Sequence, residues 1–150
     1  MFGREILNED IDNMGKPMVD KVFEIINYFK PKYWWIENPD TGRMKDYITD
    51  KPYYIVDYCK YGFPYKKRTR IWTNIEDFEA KKCNNDCEHM VKISEKRKIH
   101  INNLGNEKCR KAAKKHAKLI SDIGGGNNRL ERYRIPPKLI EDLLEKIKIE

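Results

Sequence analysis

Tyr33-Trp34-Trp35-Ile36 is a short unbroken run of aromatic and β-branched residues, and it stops at the polar Glu37-Asn38-Pro39-Asp40. Such a run suits a strand covered on both faces, and the polar stop suits the strand's carboxyl end. Immediately before it, Met18, Val19, Val22, Phe23, Ile25, Ile26 and Phe29 fall at helical spacing. Pro17 is suited to the first turn of that helix, and Pro31 ends it. Helix, proline turn, buried strand and polar strand end together make an α/β unit.

Working outward, a second strand is expected over Tyr53–Tyr58 and a third over Arg70–Thr73. Between them lie Gly62-Phe63-Pro64-Tyr65 and the basic Lys66, Lys67, Arg68 and Arg70. The two strands are expected to pair as a hairpin-like edge of the same sheet. Beyond Glu76 the pattern dissolves into cysteine, asparagine and lysine. A basic helix is expected over Glu107–Ser121, then a flexible Gly124-Gly125-Gly126-Asn127-Asn128 segment. A closing helix opened by Pro136-Pro137 carries Leu139, Ile140, Leu143, Leu144 and Ile147 on one face, to pack back on the sheet. The expected division is a sheet portion over 1–78, a Cys/His-rich basic lobe with its loop over 79–132, and the closing helix over 133–150.

A chain of 150 residues makes one domain with a modest core. Its 31 Lys and Arg against 24 Asp and Glu give a net charge of +7, which favours polyanionic partners, nucleic acid first. Much of such an excess can also be a solvated surface. No segment approaches the ~20 apolar residues of a membrane span, and the acid-containing amino terminus does not read as a signal, so a soluble intracellular protein is expected. In that setting Cys59, Cys83, Cys87 and Cys109 suggest free thiols or metal ligands rather than a disulfide framework.

In open α/β sheets ligands bind beyond the carboxyl ends of strands, which makes Glu37 the leading catalytic candidate. Asn38 can hydrogen-bond a substrate base and Pro39 stiffens the turn. Alone, a strand-end glutamate more often begins a solvated loop; the order of motifs argues otherwise. Trp35-Ile36-Glu37-Asn38-Pro39, then Tyr58-Cys59-Lys60-Tyr61-Gly62-Phe63-Pro64, then Lys67-Arg68-Thr69-Arg70-Ile71-Trp72, a Cys/His cluster, and Tyr133-Arg134-Ile135-Pro136-Pro137-Lys138-Leu139 follow one another. This series resembles the second half of the DNA cytosine-C5 methyltransferases, most closely those of small phages and large DNA viruses, and the likeness runs through almost the whole chain.

The resemblance implies a partial class I, Rossmann-like methyltransferase sheet, DNA as partner and S-adenosylmethionine as methyl donor. In that chemistry a cysteine thiolate adds to C6 of a flipped cytosine while a glutamate holds N3 and the exocyclic amine. By motif Glu37 is that glutamate, with Asn38 and Pro39 beside the base. Arg68 and Arg70 are the Arg-x-Arg pair, expected on opposite faces of their strand, one reaching the cytosine O2 or a phosphate and the other bracing the site. Tyr65 stands where the family has glutamine, and an additional residue precedes Arg68. The family's glycine-rich cofactor loop and Pro-Cys nucleophile loop are not in this sequence. A complementary N-terminal half is therefore the expected partner; a remnant without activity, or a zinc-containing nucleic-acid-binding protein, are the other readings. Cys59, lacking the Pro-Cys context, reads as a buried thiol.

Cys83-x3-Cys87-x-His89, with His100 and Cys109 within reach, is a plausible tetrahedral zinc set, for which Cys83, Cys87, His89 and His100 are the expected ligands. The basic residues of Glu107–Ser121 could track phosphate beside a base-flipping site.

Overall fold

A computed structural model describes residues 2–100 and 133–147. The helix expected over Glu107–Ser121, the Gly124–Asn128 segment and Cys109 lie outside the described residues. The first helix, α1 (Phe2–Phe29), begins much earlier than the proline suggested and runs through Pro17. The polar stretch ahead of Pro17 still meets a partner, since Arg43 pairs with Asp12 at 3.0 Å and the Tyr47 hydroxyl donates to the same carboxylate. Lys30 closes α1 in the left-handed region, at φ 46°, and donates its N–H to the Ile26 carbonyl before Pro31 forbids continuation.

Three strands follow: β1 (Trp35–Pro39), β2 (Tyr53–Asp57) and β3 (Arg68–Thr73), with a short helix α2 (Met44–Tyr47) after β1 and a 3-10 turn over Tyr58–Tyr61 after β2. They form one sheet in the order β1-β3-β2, antiparallel at both junctions. The expected hairpin-like pairing of the second and third strands is present, but β3 is the centre of the sheet rather than its edge. It separates β1 and β2, which run parallel to each other without touching. A reversed strand of this kind occurs in many mixed α/β sheets. The described residues therefore have an α/β arrangement around a small antiparallel sheet. Asn74 locks the approach to β1: its side chain accepts from Trp34 N–H at 2.9 Å and donates to the Lys32 carbonyl at 2.8 Å.

Register assigns the faces. Glu37 lies opposite Ile71, and Ile71 opposite Tyr54, so these share one side with Thr69 and Val56. On that side Val56, Tyr58, Tyr61, Tyr65 and Ile71 form the larger core with Leu139 and Leu143. The two leucines come from α3 (Pro137–Leu144), which starts at the expected Pro136-Pro137. Of the apolar residues assigned to its inner face, Leu139 and Leu143 are fully buried while Leu144 is exposed. Asn38, opposite Arg70, belongs to the other side, where Trp72 packs with Ile36, Val19, Phe23 and Ile48 beneath α1 and α2.

The cysteine-rich segment is not wholly irregular. It contains a hairpin, β4 (Met90–Ser94) and β5 (Arg97–His100), in which Ile99 and His100 are buried. Among the described residues no helix is long and apolar enough to cross a membrane.

Candidate active site

Glu37 sits in the middle of β1 rather than beyond its end, because pairing with β3 continues through Pro39 to Thr69. Its carboxylate is four-fifths buried. Oε1 accepts from the Tyr58 hydroxyl at 2.8 Å and from Lys67 Nζ at 3.3 Å. Neither bond falls on Oε2. Burial, with Glu37 beside it, pushes the Tyr58 phenol far above its ordinary value, so this hydroxyl stays protonated and donates. The Lys67 ammonium also lies 4.7 Å from the Tyr58 ring centroid. Tyr58 and Lys67 thus fix the carboxylate from two directions. Sequence reasoning did not give either a role, although both fall inside the motifs it used.

Arg68 and Arg70, two residues apart on a strand, share a face, in contrast to the expected opposite faces. That face carries Asn38 and is the one Glu37 does not point to. The arginines also diverge. Arg68 donates Nε and Nη2 to the two oxygens of Asp57 at 3.1 and 3.0 Å. Arg70 donates both groups to Asp40 Oδ1 at 3.1 and 2.9 Å, and its guanidinium stacks 4.1 Å over Tyr53. Asn38 Oδ1 is buried with no hydrogen-bond partner. The structure therefore gathers Glu37, Asn38, Pro39, Arg68 and Arg70 at one end of the sheet but divides them between its two sides. The rest of the basic cluster is compensated as well, since Lys67 pairs with Glu37 at 3.3 Å and Lys66 approaches Asp57 at 3.7 Å.

Asp57 is completely buried and joins this end of the sheet to the cysteine segment. Besides Arg68 it accepts the Cys83 N–H at 2.8 Å. Burial alone would raise its carboxyl, but the Arg68 hydrogen bonds, the Cys83 N–H and Lys66 outweigh that and hold it below the usual carboxylate range.

Cys59, Cys83, Cys87 and His100 converge, with one ligand-type atom from each lying within 4.8 Å of all the others. Cys83, Cys87 and His100 were expected together. His89 is not in the group; its Nε2 is buried without a hydrogen-bond partner, 3.5 Å from Glu88. Cys59 takes the fourth place from the 3-10 turn, being buried as expected, and burial pushes its thiol up, which is unsuited to a nucleophile.

Neither the turn after β1 nor the cavity beside it fits S-adenosylmethionine. The turn after β1, Pro39-Asp40-Thr41-Gly42, is filled: a Cβ on Gly42 would collide with the Asn38 side chain and meet the Pro39 carbonyl at 3.0 Å, so this glycine serves close packing. The cavity of about 500 Å³ between α1 and β1 is walled by Val22, Ile25, Ile26, Trp34 and Ile36 and offers nothing for a charged amino acid.

No family model and no solved structure matches the chain. The chain is 40% identical over 150 residues to the "Probable DNA (cytosine-5)-methyltransferase" of Frog virus 3 (isolate Goorha), an alignment covering 95% of this chain and 62% of that protein. The chain thus spans less than two thirds of the relative's length. Along nearly all of itself, it is similar to a viral protein named as a probable DNA (cytosine-5)-methyltransferase.

Proposed function

We propose that this chain forms the cytosine-recognition portion of a DNA (cytosine-5-)-methyltransferase and acts with a portion carrying the S-adenosylmethionine loop and the cysteine nucleophile, whether joined upstream or supplied as a separate chain. The observation that carries the reading is Glu37, a mostly buried carboxylate held on Oε1 by Tyr58 and Lys67, with Oε2 unbonded among the described residues. The likeness to the viral relative supports it.

In this reading DNA is the substrate and a flipped cytosine presents its N3 and amino edge to Glu37. Tyr58 and Lys67 hold Oε1, so that Oε2 can carry the proton that hydrogen-bonds N3 and moves onto it as electron density shifts there when a thiolate attacks C6. S-adenosylmethionine supplies the methyl group. It binds outside the described residues, and no step here passes through it. Pro39, on the Glu37 face, shapes the base side of the turn, while Asn38 and the two arginines act from the other face of the sheet, the arginines on phosphate or as braces. The second reading, a zinc-containing nucleic-acid-binding protein or an inactive remnant, is favoured by the cysteine cluster and by the misfit to the cofactor.

The test is transfer of labelled methyl from S-adenosylmethionine to cytosine-containing DNA, by this chain alone and mixed with a candidate N-terminal portion. Transfer only in the mixture is the expected result. Salt-sensitive DNA binding without transfer in either case would sink the enzymatic reading in favour of the second.

A further inference from the structure

We propose that Cys59, Cys83, Cys87 and His100 hold a structural zinc ion that staples the β4–β5 hairpin to the catalytic end of the sheet. Three sulfurs and one imidazole nitrogen are a donor set suited to zinc, and four protein ligands leave no open position for chemistry. Bond lengths of about 2.3 Å to sulfur and 2.0 Å to nitrogen give a tetrahedron with edges of about 3.5–3.8 Å. Cys83 Sγ and His100 Nε2 are 3.4 Å apart, and all four ligand atoms fit within 4.8 Å, so small shifts close the site.

Between the two cysteines Asn85 adopts the left-handed region, at φ 62°, and the Asn84 N–H donates to Asp86 Oδ1 at 3.0 Å, so the loop turns between Cys83 and Cys87. Three thiolates and a dication leave one negative charge. Lys66 lies against it, its ammonium bonded to the Cys83 carbonyl at 2.9 Å.

A metal also answers a question of stability. An isolated two-stranded hairpin is marginal in water, and Arg97 and Lys98 of β5 are exposed. The four ligands come from three separate places: the turn after β2, the loop before β4, and the end of β5. One ion therefore fixes elements that bury little apolar surface together. The same ion fixes the loop whose Cys83 N–H binds Asp57, and Asp57 in turn holds Arg68.

The experiment is metal analysis of the full chain purified without chelator, followed by cobalt(II) replacement. About one equivalent of zinc and the visible bands of tetrahedral cobalt thiolate are expected. Cys59→Ser should lose the metal, whereas His89→Ala should keep it. If Cys59→Ser does not fold, His100→Cys preserves four ligands and should bind cobalt with stronger sulfur charge-transfer absorption. Absence of zinc and of cobalt bands in the wild type overturns the site, as does a disulfide among these cysteines, or metal kept by Cys59→Ser and lost by His89→Ala. Zinc content is read without DNA or methyl transfer, so this outcome is separate from that of the proposed enzymatic function.

Discussion

The Tyr58 hydroxyl reaches Glu37 from the turn after β2 and donates to Oε1 at 2.8 Å, spanning the width of the central strand. A bond that ties β1 to the far side of the sheet fixes a carboxylate more firmly than solvent could. In the reconstituted enzyme Glu37→Gln should lower kcat by orders of magnitude with DNA affinity little changed, because the amide cannot take the carboxyl's part at N3. Tyr58→Phe leaves the Lys67 contact in place and should cost roughly ten- to a hundredfold, the scale of one hydrogen bond to a charged group. Single-turnover methyl transfer separates the two, and wild-type turnover in Glu37→Gln removes Glu37 from the mechanism.

Asp57 is the buried anion on which Arg68, Lys66 and the Cys83 N–H converge. Its carboxyl is held low in the folded chain, below the unfolded value of about 3.9. The sign follows: its contribution to stability is present above the unfolded value and is lost as pH falls through the folded one. Arg68 is nearly half exposed, so the contribution sits toward the lower end for charged hydrogen bonds. Asp57→Asn should cost about 2 kcal/mol at neutral pH and progressively less as pH falls below about 4. Urea unfolding across that range is the check; a cost independent of pH would show that shape, not charge, is what Asp57 provides.

Arg68 and Arg70 should part company in DNA binding. Arg70 is largely enclosed, bonded to Asp40 and stacked on Tyr53, whereas the Arg68 side chain is 45% exposed. Each phosphate contact adds about one unit to the slope of log affinity against log salt. Arg68→Gln should therefore flatten that slope by about one, and Arg70→Gln should leave it unchanged while lowering stability. Titrations at several salt concentrations, kept below both variants' unfolding temperatures, decide it; the reverse pattern assigns the phosphate to Arg70.

The parts of this architecture readable from sequence are those written in local chemistry. The aromatic run before Glu37 marked β1, although its residues are half-buried rather than covered on both faces, and Pro136-Pro137 with its leucines marked α3. Pro17 misled the reading of α1: the polar residues before it carry no apolar periodicity, and what engages them is a pair of contacts to Asp12 from beyond β1. The β4–β5 hairpin escaped because its strands are only five and four residues long and mix apolar and basic residues without strict alternation. Cys59 and His89 exchanged roles for a different reason. Spacing favours the histidine two residues from Cys87, but the turn after β2 brings a thiol from far upstream, a juxtaposition no local pattern encodes. Lys67 and Tyr58 at Glu37 are of the same tertiary kind.

Leu143 tests whether α3 is part of the site's support or an appendage. It is fully buried among Val56, Tyr58, Ile71 and Leu139, so it presses on the core that carries the Tyr58 ring. Truncation to alanine removes that packing and leaves a cavity that the surrounding rings fill only partly, at a cost of about 2–5 kcal/mol. Leu144, exposed on the same helix, should tolerate alanine within about 0.5 kcal/mol. If α3 supports Tyr58, Leu143→Ala should also weaken the Glu37 cluster, seen as reduced methyl transfer per folded molecule in the reconstituted enzyme. Equal unfolding midpoints for the two variants would mean that α3 does not pack on the sheet in solution.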